Sequence, residues 1–486
     1  MKTLSRLEKS FSFWFILLTS FFFFLLRWPS LFEPYWYGDE GVYQAVGMLI
    51  NNGQSLYSGA WENKPPLLLI IYAFFNSDQF LIRTASLISG LISIWFFYLT
   101  ARRIFPKSKN AVMIATFVYT FLFGINLIEG NIANAENFMM LPILASVYLF
   151  TSGEFIKKLW EVRTYFFAGF ILSFAFLTKV VAVFDFLALS AFLFFDYEKN
   201  TKVIIRKKLF PFILGFIIPV LITITYFLFS GSFKEFMDAF VLKNVSYVGY
   251  ENEFFIPQGL LILKFFALAF FLSFLYLRRK YVERNVLLIF IWFGFSLFNA
   301  YFSQRPYVHY LIVLLPSFCL MIAVVISQKK EKALALISLV LALLVIRQTF
   351  VLKFEKVIPY YSNLIAFYMD KKNLNDYQAF FDRRTPRDYL LANYIKSNTN
   401  RDERVFIWGN NAQVYKLADR VPIFRYTVAY HTISFPNGIS EMESAIETVK
   451  PKYVIIMPDV PSFPLSLSGY TEKMNIEQMA IYEKIF

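Results

Sequence analysis

Cysteine and histidine are almost absent from this chain of 486 residues. It contains one cysteine and two histidines, which excludes an intrachain disulfide and a cysteine-based metal cluster. Charged residues are also scarce, at 17%, against 57% hydrophobic residues. A soluble domain could not bury that much apolar surface, so the composition indicates a protein that crosses a membrane several times.

Acidic residues are the rarer charged class, with 34 Asp and Glu against 48 Lys and Arg. The resulting net charge of +14 would suit a nucleic-acid partner if the basic residues formed a patch. Most of them instead lie in short loops between apolar segments, which is the pattern that sets membrane topology. We therefore expect the lipid bilayer as a partner and no nucleic acid.

Long apolar segments are what the chain has in abundance. Crossing the hydrocarbon core of a bilayer takes about 20 apolar residues. The sequence offers eleven candidates, near residues 11–28, 80–104, 110–127, 138–152, 162–178, 181–195, 210–230, 257–277, 285–303, 308–327 and 332–352. No small-residue cleavage site follows the first, so we interpret it as a retained span. The shorter segment 65–75 starts with two prolines and suits a helix lying in the interface.

The Lys and Arg residues alternate between rich and poor loops along the chain. The rich set begins with Lys2, Arg6 and Lys9, and every second loop after it is basic. This bias predicts a cytoplasmic N-terminus, and eleven spans then place the C-terminal tail on the external side. The fold expected is an all-α polytopic membrane protein with about eleven transmembrane helices in the plasma membrane of the cell.

Composition changes near residue 356, where charged residues, Asn and Pro become more frequent. We predict a transmembrane domain over 1–355, including a first external loop at 29–79, and an extracytoplasmic domain over 356–486. In the second domain, 404–409 and 452–458 read as buried strands with a helix at 438–449 between them. Such alternation indicates a small α/β domain with parallel pairing.

Two adjacent carboxylates, Asp39 and Glu40, lie in the first external loop, about ten residues beyond the first span. Ionisable residues at a membrane boundary are costly and are therefore candidates for function. The alternative is that they solvate the loop and cap a helix that starts near Gly41.

Further ionisable residues occur in loops on the same predicted side, namely Lys64, Glu136, Lys179, Arg305 and His309. Isolated cations on the cation-poor side suggest binding of an anion at the interface. Each residue also has a structural alternative. The two lysines could snorkel to the interface, Glu136 could cap the fourth span with Asn134, and His309 could hydrogen-bond among interfacial aromatic residues. Asp185, inside the sixth span, receives no role.

Five motifs, in order and on one predicted side, carry a family resemblance: Asp39-Glu40, Glu62-Asn63-Lys64-Pro65-Pro66-Leu67, Glu136-Asn137, Leu177-Thr178-Lys179, and Arg305-Pro306-Tyr307-Val308-His309-Tyr310, the last of which leads into Leu314-Leu315-Pro316. With them the chain resembles the polyprenyl-phosphate-sugar glycosyltransferases of the GT-C class. It is most similar to family 39, the protein mannosyltransferases and lipid A aminoarabinose transferases. The resemblance implies a multi-spanning fold, an amphipathic first external loop, a lipid-phosphate sugar donor and inversion at the anomeric carbon.

The chemistry of such a transfer needs a base and a set of cations. A carboxylate takes the proton from the acceptor hydroxyl, and the position of Asp39 matches the family's catalytic acidic residue. Glu40 and Glu136 are the further catalytic candidates. Cations stabilise the departing phosphate, and we assign this role to the set Lys64, Lys179, Arg305 and His309.

No cofactor and no metal ligand are predicted, although a divalent cation between Asp39 and Glu136 is an open alternative. The acceptor expected is a lipid, a glycan or a protein. The competing function is a polytopic transporter or flippase of a lipid-linked sugar, and a non-catalytic scaffold is a third. Transporters usually carry interrupted helices and sites near the midplane, whereas the ionisable residues here lie at one interface. The sequence therefore favours the enzyme.

Overall fold

The computed structural model describes residues 2–153, 158–196, 200–245, 261–303 and 305–485. The α-helices are α1 Lys2–Arg27, α2 Gly38–Asn51, α3 Pro66–Phe74, α4 Gln79–Ile104, α5 Lys109–Gly124, α6 Ala135–Ser152, α7 Lys158–Thr178, α8 Val183–Phe195, α9 Thr201–Ile204, α10 Phe210–Phe229, α11 Phe233–Met237, α12 Leu261–Arg278, α13 Arg284–Ala300, α14 Leu315–Ser327, α15 Lys332–Thr349, α16 Val357–Tyr368, α17 Leu374–Ala379, α18 Thr385–Asn398, α19 Gln413–Ala418, α20 Ala429–Ile433 and α21 Gly438–Val449. The strands are β1 Val405–Trp408, β2 Tyr453–Ile456, β3 Tyr470–Ile476 and β4 Met479–Lys484.

Each of the eleven predicted spans coincides with a helix, although positions 257–260 of the eighth lie outside the described residues. Within the described part of the chain, seven helical stretches are long and apolar enough to cross a membrane: Phe11–Phe32, Gln79–Ile104, Trp160–Thr178, Thr201–Phe229, Leu261–Tyr281, Val308–Ser327 and Lys332–Thr349. Shorter apolar helices cover Lys109–Gly124, Val180–Phe195 and Arg284–Ala300. The predicted polytopic helical fold is confirmed, whereas the number of eleven crossings stays a prediction.

The chain folds into two compact units. The helical unit comprises Met1–Ser30, Thr84–Tyr226 and Lys243–Ile358, and the loop–tail unit comprises Leu31–Arg83, Phe227–Leu242 and Pro359–Phe486. The tail part of the loop–tail unit begins at Pro359, close to the predicted boundary at 356, but the first external loop belongs to the same compact unit as the tail and not to the helical unit. Hydropathy reports which segments are apolar and carries no information on that packing.

Helices α7 and α10 of the helical unit pass each other very closely. A Cβ added at Gly169 would lie 1.9 Å from the carbonyl oxygen of Phe212, and one added at Gly215 would lie 2.0 Å from that of Phe166. The two glycines therefore let the backbones touch reciprocally, as small residues do between helices in membranes. Core packing in the helical unit is aromatic as well, with Phe97 of α4 stacked on Tyr119 of α5 at 4.5 Å between ring centroids.

The sheet of the loop–tail unit has the strand order β1-β2-β4-β3. Strands β1 and β2 are parallel, with Val405 opposite Tyr453, and they confirm the predicted strands and their pairing. Strand β4 is antiparallel to both of its neighbours. The β3–β4 hairpin was not predicted, because β3 is mostly exposed and lacks an apolar run.

Candidate active site

Helix α2 begins at Gly38 and carries Asp39 and Glu40 in its first turn. The residue before it, Tyr37, is extended and makes no side-chain capping bond, and its carbonyl oxygen accepts from the N–H of Gly41 at 3.0 Å. The alternative that these carboxylates cap a helix starting near Gly41 is therefore wrong, because the helix begins at Gly38 and both carboxylates lie inside it. Acidic residues in a first helical turn are stabilised by the helix dipole.

The two adjacent carboxylates face different surroundings. Glu40 is 2% exposed and accepts from Nε and Nη2 of Arg83 at 3.1 and 2.6 Å. Asp39 is half-buried, and among the described residues its carboxylate has no hydrogen-bond or ion-pair partner. Glu40 is therefore fixed by a bidentate ion pair, while Asp39 is available to a proton donor.

Arg83 joins Glu40 to a buried cluster that sequence reasoning missed. Its Nη1 lies 2.8 Å from Oε2 of Glu33, and the hydroxyl of Tyr360 donates to Oε1 of the same carboxylate at 2.5 Å. Trp36 also donates to Glu33, at 2.7 Å. The available signal was Arg83 itself, since an arginine inside an apolar segment is costly and needs a partner.

Lys64 is not an isolated cation. Its Nζ lies 3.5 Å from Oε1 of Glu62 and donates to Oδ1 of Asn63 at 3.0 Å. Glu62 is buried, and burial raises its pKa while Lys64 lowers it. Nε2 of His431 lies 3.7 Å from the other Glu62 oxygen. The predicted phosphate contact thus has a carboxylate neighbour two residues away.

The loop before Lys64 is held to the tail within the loop–tail unit. The N–H of Trp61 donates to the carbonyl oxygen of Arg425 at 3.1 Å. The Trp61 ring packs edge-on against His431, Phe435 and Tyr426 at 4.9, 4.8 and 5.5 Å. This packing fixes the segment that carries Glu62 and Lys64.

In the helical unit, Glu136 lies in the first turn of α6 and is buried. Its Oε1 is ion-paired with Lys179 and lies 3.7 Å from Nε2 of His309. Asn134 is the N-cap, and its side chain accepts from the N–H of Ala135 at 2.8 Å. Asn134 therefore caps α6, and Glu136 forms an ion pair with Lys179 instead of capping the helix.

His309 lies between two carboxylates. Its Nδ1 is 2.7 Å from Oε2 of Glu129, opposite the side that faces Glu136. The imidazole stacks on Tyr307 at 5.5 Å and meets Tyr310 edge-on at 4.8 Å. Nζ of Lys179 lies 4.6 Å from the centre of the Tyr310 ring. The predicted aromatic setting of His309 is present, together with a carboxylate partner, Glu129, that was not among the predicted site residues.

Arg305 is half-buried and follows α13. Its backbone N–H donates to Oγ of Ser303 at 3.2 Å.

Asp185, which had no predicted role, is buried in α8 and accepts from Nε1 of Trp292 on α13 at 2.7 Å. Asp185 therefore links two helices.

The predicted site residues fall into two sets. Asp39, Glu40 and Lys64 belong to the loop–tail unit, whereas Glu136, Lys179, Arg305 and His309 belong to the helical unit. Glu136, Lys179 and His309 are brought together directly. Across the described ranges no group of three or more His, Cys, Asp or Glu side chains is arranged to hold a metal ion.

Comparisons with known proteins bear on the fold. Residues 64–227 match the family model of dolichyl-phosphate-mannose-protein mannosyltransferases, and no curated protein matches the chain. Among solved structures, the chain is similar to ArnT from Cupriavidus metallidurans bound to undecaprenyl phosphate, with 13% identity, coverage of 97% of this chain and 98% of that chain, and a TM-score of 0.59. The apo structure of the same protein gives 13% identity, the same coverage and a TM-score of 0.55. The predicted resemblance is thereby confirmed, and the chain has the fold of ArnT.

Proposed function

We propose that this protein is a membrane glycosyltransferase that moves a sugar from a polyprenyl-phosphate donor to an acceptor hydroxyl on the external face of the membrane. The family match over 64–227 and the undecaprenyl phosphate bound to ArnT support the class of donor. The observation that carries the proposal is the half-buried Asp39 carboxylate at the start of α2, next to a Glu40 that Arg83 holds in place.

Asp39 is the general base of the proposed reaction. It takes the proton from the acceptor hydroxyl, whose oxygen then forms a bond to the anomeric carbon on the face opposite the phosphate. The bond between that carbon and the phosphate oxygen breaks, its electron pair stays on the oxygen, and polyprenyl phosphate leaves. The product has inverted configuration. A positioned base of this kind contributes about 10²–10⁴-fold to the rate.

Cations bind the donor phosphate in this proposal. Lys179 and Arg305 do so in the helical unit, with His309 beside Lys179, and Lys64 is the candidate of the loop–tail unit. Lys64 and Lys179 each have a carboxylate neighbour, Glu62 and Glu136 respectively. These carboxylates hold the ammonium groups in place before the donor arrives. Arg305 can bind two phosphate oxygens at once.

The test is an assay of purified protein in liposomes with a labelled polyprenyl-phosphate sugar and a panel of lipid, glycan and peptide acceptors. We expect label to move to an acceptor with the wild type and at least 100-fold more slowly with Asp39→Asn, given the usual contribution of a base. Asp402→Asn, at an exposed position of the tail, is the matched control and keeps wild-type transfer. Movement of label across the bilayer without transfer to any acceptor would make the protein a carrier.

A further inference from the structure

Helix α2 passes another backbone very closely at Gly41, two residues after Asp39. A Cβ added at Gly41 would lie 2.7 Å from the backbone nitrogen of Gln413 and 2.7 Å from its Oε1. The residue therefore has to be glycine for reasons of space. A glycine inside a helix makes the helix less stable than an alanine would. The close contact with the first turn of α19 explains why a glycine is present at this position.

Gln413 is itself held by a buried carboxylate. Its Nε2 donates to Oδ2 of Asp388 at 2.8 Å, and Nδ2 of Asn411 donates to the two oxygens of Asp388 at 2.9 and 2.7 Å. Asp388 lies in α18 and is 1% exposed. Burial raises the pKa of Asp388 to about 6, so the carboxylate is still mostly ionised at neutral pH and accepts these bonds.

The same helix holds the chain just before α2. The hydroxyl of Tyr389, next to Asp388, accepts from the N–H of Tyr35 at 3.0 Å. The hydroxyl of Tyr35 in turn accepts from the N–H of Gln79 at 3.3 Å. Contacts from α18 and α19 thus reach both Tyr35, before the helix, and Gly41, within its first turns.

We infer that Gln413, fixed by Asp388, is a positioning residue that sets the start of α2 and with it the carboxylate of Asp39. Positions 40 and 41 differ by about 100° around an α-helix. Arg83 therefore fixes one side of α2 through Glu40, and Gln413 fixes another through Gly41. In this inference the tail affects kcat, through the position of the Asp39 carboxylate, and does not affect the choice of acceptor. This inference rests on the proposed function.

Geometry of this precision matters because a displacement of about 1 Å from a distant mutation can cost on the order of 100-fold in rate. Gly41→Ala must move either α2 or the first turn of α19, since one of the atoms it meets is backbone. Gln413→Ala is milder, because Asn411 still donates to both oxygens of Asp388. Both variants weaken the hold on α2, to different degrees.

The test compares these variants with Gly38→Ala, which lies in the same helix and where an added Cβ meets nothing within 4 Å. For Gly41→Ala we expect kcat to fall by about 10-fold or more, with the donor Kd and the relative use of acceptors unchanged. Gln413→Ala shifts kcat in the same direction by a smaller factor. Hydrogen exchange of the α2 amides becomes faster in both variants and stays at the wild-type rate in Gly38→Ala.

Hydrogen exchange separates this inference from the proposed function, because it needs no activity. A wild-type protein that transfers no sugar would contradict the glycosyltransferase proposal. Faster hydrogen exchange of the α2 amides in Gly41→Ala and Gln413→Ala would still support the positioning role of Gln413. Normal kcat and normal exchange in Gly41→Ala would overturn the inference, as would a change in acceptor preference alone. Should Gly41→Ala fail to fold, Gln413→Ala decides by the same two measurements.

Discussion

Asp39 and Glu40 are neighbours in sequence but have different environments. Glu40 is closed in by Arg83 in a buried ion pair, whereas Asp39 remains half-buried at the helix start. The sequence predicts that only one of two adjacent carboxylates can face the donor. It could not predict how the other is held, because Arg83 is 43 residues further along the chain.

The first prediction separates these two residues. Asp39→Asn should lower kcat by about 10²–10⁴-fold and leave donor binding and thermal stability near wild type, because the amide fills the same space. Glu40→Gln should lower thermal stability instead, since breaking a buried ion pair costs about 3–5 kcal/mol. Calorimetry and kcat per folded protein are the measurements. A folded but inactive Glu40→Gln beside a fully active Asp39→Asn would reverse the roles.

The second prediction concerns the donor phosphate. Arg305→Ala and Lys64→Ala should each weaken donor binding by on the order of 1.5–3 kcal/mol, the typical value of a charge-assisted contact. Lys234→Ala, at an exposed position of α11, is the control and should bind donor normally. Titration with a labelled polyprenyl phosphate gives the affinities. Unchanged affinity in both variants would favour the snorkelling alternative for Lys64 and leave Arg305 without this role.

At the scale of elements, hydropathy correctly predicted the helices and strands that are themselves apolar segments. Each apolar segment became a helix, and the parallel strands of the tail were found from their apolar runs. The elements that were missed or misplaced depend on partners rather than on local pattern. The start of α2 at Gly38 and the exposed hairpin of β3 and β4 are examples. In neither case does a regular spacing of hydrophobic residues in the sequence mark where the element begins or ends.

Asp388 joins α18 to α19 and gives the third prediction. Its pKa in the folded protein is about 6 against an ordinary value of 3.8, and burial is the main cause. Between about pH 4 and pH 6 the folded protein holds a proton that the unfolded chain has released. The contribution of Asp388 to the free energy of unfolding therefore falls as pH rises through this window and is constant above it.

The measurement is the Tm of the purified protein from about pH 4 to pH 7, compared with Asp388→Asn. We expect the difference in Tm, wild type minus variant, to decrease as pH rises. Asp402→Asn, whose side chain is exposed, should follow the wild-type curve. A difference that grows with pH would mean that hydrogen bonds from Asn411 and Gln413 outweigh the effect of burial.

At the scale of the whole molecule, the sequence predicted a polytopic membrane protein with a small α/β module, and the fold of ArnT agrees with it. The division into units was not predictable in the same way. The first loop and the tail join through side chains such as Glu33 and Tyr360, which are 327 residues apart. Composition marks where the tail begins, but it does not indicate what the tail packs against.

The fourth prediction is the topology. The alternation of Lys and Arg places the loops of Asp39, Glu136 and Arg305 outside and Lys207 and Arg279 in the cytoplasm. Single cysteines at positions 39, 305, 207 and 279 in whole cells, treated with an impermeant maleimide, provide the measurement. The native Cys319 is buried and gives little background. Reagent that reaches position 207 from outside and spares position 39 would contradict the topology.

The ion-pair cluster around Arg83 has a consequence for the order of synthesis. Glu33, Glu40 and Arg83 are all made before residue 84, so the guanidinium and both carboxylates are present in the chain as soon as the start of α4 has been translated. The hydroxyl that completes the cluster belongs to Tyr360 and is added only after the last predicted span. A nascent chain halted before that residue would hold α2 by Arg83 but leave Glu33 without one of its donors. Newly made protein therefore completes this cluster only after Tyr360 has been added and has left the ribosome.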